Sequence, residues 1–318
     1  MYDVVALGEL LVDFALTDTD GEGYPTLKAN PGGAPGNFLA ALSRYGASTA
    51  FVGKVGQDAF GRLLLATLER AGIGTRGVVS DRSVFTTLAF VTLDENGDRS
   101  FSFARKPGAD TRLRPEEVNW SLIDQCRLFH FGTLSLTDEP VSSATRETVA
   151  HARAQGKWVS CDPNLRLPLW DSPARAREAM LWAVSQADIV KISQEEVDFL
   201  WGCSPQEGAD RLLADHGVSL AMVTLGPEGC YVKNRNGACY GRCPQVQVRD
   251  TTGAGDIFGG AAVSRWLATG KAPGEMDVNE LADLAAFACA AASLSTRLPG
   301  GIPSIPEREE VEEVLAAL

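Results

Sequence analysis

The run Asp250-Thr251-Thr252-Gly253-Ala254-Gly255-Asp256 leads directly into Ile257-Phe258-Gly259-Gly260-Ala261-Ala262-Val263. Small residues at a helix start leave backbone N–H groups uncovered, and those donors with the helix dipole favour an anion. An aspartate inside such a turn opposes an anionic ligand. It makes chemical sense where a carboxylate must orient a hydroxyl and take its proton while the amides of Gly253, Ala254 and Gly255 hold a transferring phosphoryl group. The plainer alternative is the acidic first turn of an ordinary helix. A second cluster, Asn30-Pro31-Gly32-Gly33-Ala34-Pro35-Gly36-Asn37, lets a ligand approach the backbone and places Asn37 in the first turn of the next helix. Neither cluster is a dinucleotide fingerprint, and no G-x-x-x-x-G-K-[ST] run occurs.

These two sites need a scaffold. Short β-rich runs at 4–7, 50–55, 128–131, 158–161, 189–192 and 221–225 alternate with helical stretches at 35–45, 57–71, 139–154, 174–184, 194–201 and 205–216. In the second helix Phe60, Leu64, Leu68 and Ala71 fall on one face. Such alternation predicts a parallel sheet with helices on both faces. Two segments break it. Residues 11–16 precede a polar, Gly-rich stretch, and 86–93 with 99–103 flank a turn centred on Asn96-Gly97. Together they predict a small sheet projecting from the main body. A second hairpin is expected from 230–232 and 238–240, turning at Asn236-Gly237, and helices at 254–268, 278–294 and 306–318.

The chain has 318 residues, which allows roughly two domains of ~150 residues or one larger unit with an insertion. With 29 Lys and Arg against 41 Asp and Glu, the net charge of −12 disfavours nucleic-acid binding and adhesion to anionic membranes. An anionic ligand would have to be held by local groups against the global field. No apolar run reaches the ~18 residues of a membrane helix, and residues 1–16 read as a strand entering a fold rather than a signal peptide. Seven scattered cysteines without C-x-x-C or paired His spacing are expected to be reduced and mostly structural, in a cytoplasmic protein. His130, His151 and His216 show no spacing to a nucleophile, and the acidic run 307–313 reads as a solvated helix face.

The pair of glycine-rich clusters resembles the two signatures of the ribokinase-like (phosphofructokinase-B) sugar kinases, and within them the fructokinases. Supporting stretches are 51–61, Arg105-Lys-Pro-Gly-Ala-Asp110, Asp162-Pro-Asn-Leu-Arg-Leu-Pro-Leu-Trp170, Lys191-Ile-Ser-Gln-Glu-Glu196 and Gly301-Ile-Pro-Ser-Ile-Pro306. The resemblance covers nearly the whole chain. It implies a ribokinase-like three-layer α/β/α fold with a mainly parallel central sheet, in one domain over 1–318, with a small β-sheet lid from about 11–30 and 84–108.

The implied activity is ATP-dependent phosphorylation of a sugar hydroxyl, with fructose the expected acceptor. Other acceptors of this class are ribose, 2-keto-3-deoxygluconate and aminoimidazole riboside. A non-catalytic sensor on the same fold would be expected to have lost the aspartate or the glycine turn, and both are present.

Residue by residue, the resemblance assigns Asp256 as base and Gly253, Ala254 and Gly255 as anion hole. Asp13, Gly32, Gly33 and Asn37 match sugar-binding positions. Phe101 and Phe103 on the lid are expected to cover the sugar, with hairpin packing as the equal alternative, and Arg105 to point at its oxygens. Arg166 suits a phosphate. Asn164, Lys191 and Glu196 match positions near nucleotide phosphates, Glu196 organising Mg²⁺-bound water; Ser193 stands where the family often has Asn. Thr224, Gly226 and Gly229 match the adenosine-side loop. Cys289 occupies a position that in many relatives is an Asn beside the adenine, so the donor nucleotide is less certain. Asp250, Thr252 and Ser304 match a K⁺ loop. A homodimer pairing through the lids is expected, since an exposed small sheet leaves an apolar face to cover.

Overall fold

The computed structural model describes residues 1–93 and 99–317, and of 92, 93 and 99–101 the backbone alone. The Asn96-Gly97 turn and the side chain of Phe101 therefore lie outside the described residues.

The apolar strands pack into a nine-stranded sheet. Its members are β1 (Tyr2–Leu7), β4 (Thr49–Gly56), β5 (Ile73–Asp81), β8 (Cys126–Gly132), β9 (Trp158–Asp162), β10 (Ile189–Ser193), β11 (Leu220–Thr224), β12 (Cys230–Asn234) and β13 (Gly237–Gly241). The order is β13-β12-β11-β10-β9-β8-β1-β4-β5. Every pairing is parallel except β11 with β12 and β12 with β13. Runs such as Val4-Val5-Ala6-Leu7 are apolar without alternation because helices cover both faces, as a parallel sheet requires.

On one face lie α1 (Ala34–Arg44), α2 (Ala59–Arg70), α8 (Ala254–Thr269), α9 (Val278–Ser295) and α10 (Arg308–Ala316). The other face carries α3 (Trp120–Asp124), α4 (Val141–Ala154), α5 (Pro173–Ser185), α6 (Gln194–Trp201) and α7 (Pro205–His216). Two separate apolar cores result, one around Phe38, Phe51, Ile257 and Phe287, the other around Phe129, Phe131, Met180 and Val190. Each fully buried Phe or Leu contributes about 1.5–3 kcal/mol, which makes these layers the frame for everything at the strand ends.

The second sheet has four strands, ordered β3-β2-β6-β7, from β2 (Leu11–Thr19), β3 (Pro25–Gly32), β6 (Thr87–Leu93) and β7 (Arg99–Ala104). It is the projecting small sheet expected from the sequence. Asp13 pairs with Asn30 on β3 and with Ala89 on β6.

Strands β3 and β5 were not foreseen, and one hairpin turn shifts. Asn234 pairs with Gly237, so the turn residues are Arg235 and Asn236 rather than Asn236 and Gly237. The cause is Asn234, whose side chain accepts from Asn236 N at 2.9 Å and donates to Met276 O at 2.9 Å, anchoring the strand end one residue earlier.

Helices α1 and α8 meet closely. A Cβ at Gly260 would lie 2.5 Å from Phe38 O, so only glycine permits this approach. The contact brings the first turns of the two helices together, and with them Asn37 and Asp256.

Candidate active site

Parallel α/β sheets gather ligands at the carboxyl ends of their strands. Here those ends carry Asp162 on β9, Ser193 on β10 and Thr224 on β11, with Gly8 and Glu9 following β1. A cavity of about 750 Å³ opens between the loops that follow β1 and β9, the first turn of α8 and the small sheet. Of the expected residues, Asp13, Gly32, Gly33, Asn37, Phe103, Asn164, Arg166, Asp250, Thr252, Gly253 and Asp256 line it.

Gly253 begins α8 in the left-handed region, φ 78°, and a Cβ there would press on Gly301 Cα at 2.8 Å. No side chain caps this helix start. Asp256 sits inside the first turn, where Asn37 Nδ2 donates to its Oδ2 at 2.8 Å. Burial pushes the Asp256 carboxyl up to about 6, the nearby Asp162 charge adding to this, while the Asn37 bond, Lys191 and Arg166 oppose it. Desolvation likewise raises Asp13 to about 6, with Arg166 opposing and Asp250 reinforcing. The base is thus poised nearer neutrality than a solvent-exposed aspartate. Its ionised form still predominates above pH 6, so proton acceptance is lost as pH falls through that value. Replacing Asn37 by Ala removes a bond that holds the pKa down. The acid limb of kcat/KM should then move to higher pH, which a pH–rate profile of both forms measures.

Behind the turn, Lys191 Nζ donates to Asp162 Oδ2 at 2.9 Å, both residues being buried. A Cβ at Gly255 would lie 3.1 Å from that ammonium, which places the cation against the anion-holding turn. Asp162 Oδ1 is buried and without a partner, as is Asn37 Oδ1. Glu196 clamps two segments: Oε1 accepts from Leu165 N at 2.6 Å and Oε2 from Ser193 N at 2.8 Å. Ser193 Oγ accepts from Glu196 N in return. Ser193-x-x-Glu196 is therefore a capping box at the start of α6, a local role that its family reading did not include. Asn164 adopts φ 48°, which Asn tolerates better than most residues, and turns the chain so that Asn164 and Arg166 face the cavity.

Mg²⁺ takes one or two carboxylates and keeps its remaining positions for water and phosphate. The orphaned Asp162 Oδ1 beside Glu196 fits such an ion, although among the described residues no three acidic, His or Cys side chains converge on a metal position. In the cation-loop segment, Asp250 Oδ1 accepts from Thr252 N and Oγ1, and its Oδ2 from Gly300 N at 2.8 Å. Ser304 is buried outside the cavity lining and donates to the carbonyl of the lining residue Gly301 at 2.8 Å.

Three expectations are revised. Arg105 does not face the cavity. It is buried, its guanidinium donating to Asp110, Thr137 Oγ1 and Leu134 O, each at 2.8 Å. An unpaired buried guanidinium would be costly, so these partners fix it as a brace at the root of the small sheet. Cys289 is fully buried within the core, its Sγ 3.5 Å from Cys230 Sγ. Thr224, Gly226 and Gly229 lie at the end of β11, the strand beside β10, outside the main cavity's lining.

Lys28, Leu11 and Ala15 also line the cavity and escaped the sequence reading; Lys28 alternates along β3 with Asn30 and the expected Gly32, and Leu11 and Ala15 flank the expected Asp13 on β2. Recognising β3 as a strand would have found Lys28 by period two. Glu9, buried, accepts from Ala34 N at 2.9 Å and so caps α1, whose N-cap Gly33 has no side chain. Gly33 itself, φ 114°, rests on the Glu9 carbonyl. His130 stacks on Phe38 at 3.8 Å, and burial lowers its pKa to about 3, so it is a neutral core residue.

This α/β sheet with a four-stranded cover, a bare helix start and an adjacent buried carboxylate defines a phosphotransferase site for a polar ligand. Residues 1–308 match the pfkB family of carbohydrate kinases, and the chain belongs to that family. It is 42% identical to "Fructokinase-1" of Zea mays over 98% of this chain and 97% of the relative. Among solved structures, a fructokinase with bound ATP from Xylella fastidiosa superposes with TM-score 0.89 at 29% identity, covering 100% of this chain and 99% of that one. A fructokinase from Vibrio cholerae O395, in a fructose, ADP and calcium ion bound form, gives TM-score 0.85 at 32% identity, covering 98% of each chain.

Proposed function

We propose that this protein is a fructokinase, converting D-fructose and ATP to D-fructose 6-phosphate and ADP. The observation that carries the reading is Asp256, held by Asn37 in the first turn of α8, beside a glycine-rich helix start that no side chain caps and at the floor of a cavity walled by Asp13, Asn30 and Gly32. The sugar-kinase relatives above support the acceptor.

In this mechanism Asp13, Asn30 and Asn37 orient the ketose by directed hydrogen bonds, so that its primary hydroxyl meets Asp256. Asp256 takes the hydroxyl proton as the oxygen attacks the γ-phosphorus in line. The bond from phosphorus to the ADP oxygen breaks, and the amides of residues 253–255 with Lys191 and Arg166 hold the equatorial charge. Asp162 and Glu196 would hold Mg²⁺ through water, and the ion would supply charge neutralisation of the phosphates. K⁺ is proposed at the Asp250–Gly253 loop, supported by the Asp250 bonds that fix this loop to Gly300. The small sheet, with Phe103 half-buried on it, excludes water that would otherwise hydrolyse ATP. A lid-paired homodimer and a cytoplasmic location belong to the same proposal. Light scattering tests the first. No described helix is long and apolar enough to cross a membrane.

A coupled assay of fructose, glucose, mannose and ribose with ATP tests the assignment. Fructose is expected to exceed the others in kcat/KM by about tenfold or more, the margin that directed hydrogen bonds readily supply. Equal or better turnover of ribose or a nucleoside overturns it.

A further inference from the structure

Three thiols distant in sequence meet where β12, the segment after β13 and α9 pack together. Cys230 begins β12, Cys243 follows β13 by two residues, and Cys289 lies on α9. The Cys289 Sγ is 3.5 Å from Cys230 Sγ, and its side chain lies beside that of Cys243. Cys230 and Cys289 are fully buried, whereas Cys243 is half-buried and is the end of the row that solvent reaches. Cys243 Sγ also lies 3.8 Å from Gly226 O and 3.9 Å from Cys289 O. None of these contacts is used by the mechanism above.

The surroundings make Cys243 the reactive member. The side chains of Cys289 and Ser293 bring its thiol below the usual thiol range, while burial pushes up Cys126, Cys161, Cys203 and Cys239. A thiolate that solvent can reach, backed by a second thiol already in contact, is the arrangement that disulfide exchange requires.

We propose that Cys243 is a thiol modification site, which exchanges with a low-molecular-weight disulfide of the glutathione type and closes onto Cys289, weakening nucleotide binding. The Cys243 thiolate attacks one sulfur of the small disulfide and expels a thiolate, which takes a proton from water. The Cys289 thiol then gives up its proton and its sulfur attacks Cys243, expelling the second small thiol. Two protein thiols are oxidised and one small disulfide is reduced to two thiols. The new S–S bond, about 2.05 Å, is much shorter than a thiol–thiol contact, so the 242–249 segment must move toward α9. That segment joins β13 to the Asp250–Gly253 turn, and Cys243 touches the Gly226 loop, so the movement reaches both the turn and the loop. This last link rests on the reading of the Thr224–Gly229 side as the nucleotide face.

The test treats the full chain with oxidised glutathione, then measures free thiols, the cross-linked peptides and ADP affinity by calorimetry. Two of the seven thiols should disappear, the bond should map to Cys243 and Cys289, and dithiothreitol should restore both. ADP affinity should fall about fivefold or more, as ligand contacts on that face are displaced. Cys243→Ser should show neither change, and Cys289→Ser should stop at a single glutathione adduct. Seven thiols surviving in the folded protein, an unchanged response in Cys243→Ser, or a mapped bond without loss of ADP affinity would overturn the proposal. The reduced protein's own ADP binding and sugar turnover report separately on the kinase reading.

Discussion

Asp256→Asn is expected to lower kcat by about a thousandfold while leaving fructose binding nearly intact, because a positioned base contributes roughly 10²- to 10⁴-fold and the Asn keeps the shape. Asn37 can still bond the new side chain through its oxygen. The comparison is a steady-state assay with ATP beside calorimetric titration of the sugar without nucleotide. Turnover within about tenfold of the parent would exclude Asp256 as an essential base. The same substitution has a signature without substrate. The folded-state pKa of Asp256 is raised from 3.8 to about 6, so the stability cost of its charge builds up as pH rises between those values and is complete above about 6. The Asn variant should therefore melt higher than the parent above pH 6, and the difference should vanish near pH 4, where both side chains are neutral.

Lys191→Met should be the most damaging change to the fold at this end of the sheet. Lys191 and Asp162 form a buried pair, and Glu196 and Asp256 also lie within its field. Removing one partner of a buried pair costs about 3–5 kcal/mol because the remaining charge is left uncompensated. Turnover should fall about 10²-fold or more as well, since the ammonium sits against the turn that holds the transferring group. Urea denaturation separates the two effects when Asp162→Asn is added. The double variant should recover much of the stability and none of the turnover. A single variant as stable as the parent would show that Asp162 finds its compensation elsewhere.

The layers of this molecule were legible because they rest on local rules. Continuous apolar runs such as Ala221-Met222-Val223 can only be strands covered on both faces, and α6 and α7 carry capping boxes that mark their first residues. Strand β3, with Pro25, Lys28, Asn30 and Pro31, hides its nature because one face meets a cavity rather than a core. The Asp256 turn was legible as chemistry because its aspartate follows Gly253-Ala254-Gly255, which sets a proton acceptor beside a helix start without a side-chain cap. Arg105 was not: its partners, Asp110, Thr137 and Leu134, come together only once the chain folds back on itself. The row of Cys230, Cys243 and Cys289 is hidden for the same reason, since 59 residues separate its first and last members.

Only Gly8, Glu9 and Leu10 separate β1 from β2. Glu9 and Leu10 are buried, and Gly8 lies against the ring of Pro35. A joint so short and so well packed has no slack, and the parallel neighbour β6 is fastened at the same root through Thr86, which bonds Asp58. The four strands must then swing as a board clamped along one edge, not fold like a flap on a string. A nine-residue strand reaches about 30 Å, so a tilt of about 10° at the clamp carries the free edge roughly 5 Å. Side chains near the clamp, Asp13 among them, barely travel during that swing. Contacts that choose the guest are thereby held steady, and the doorway is left to the far edge.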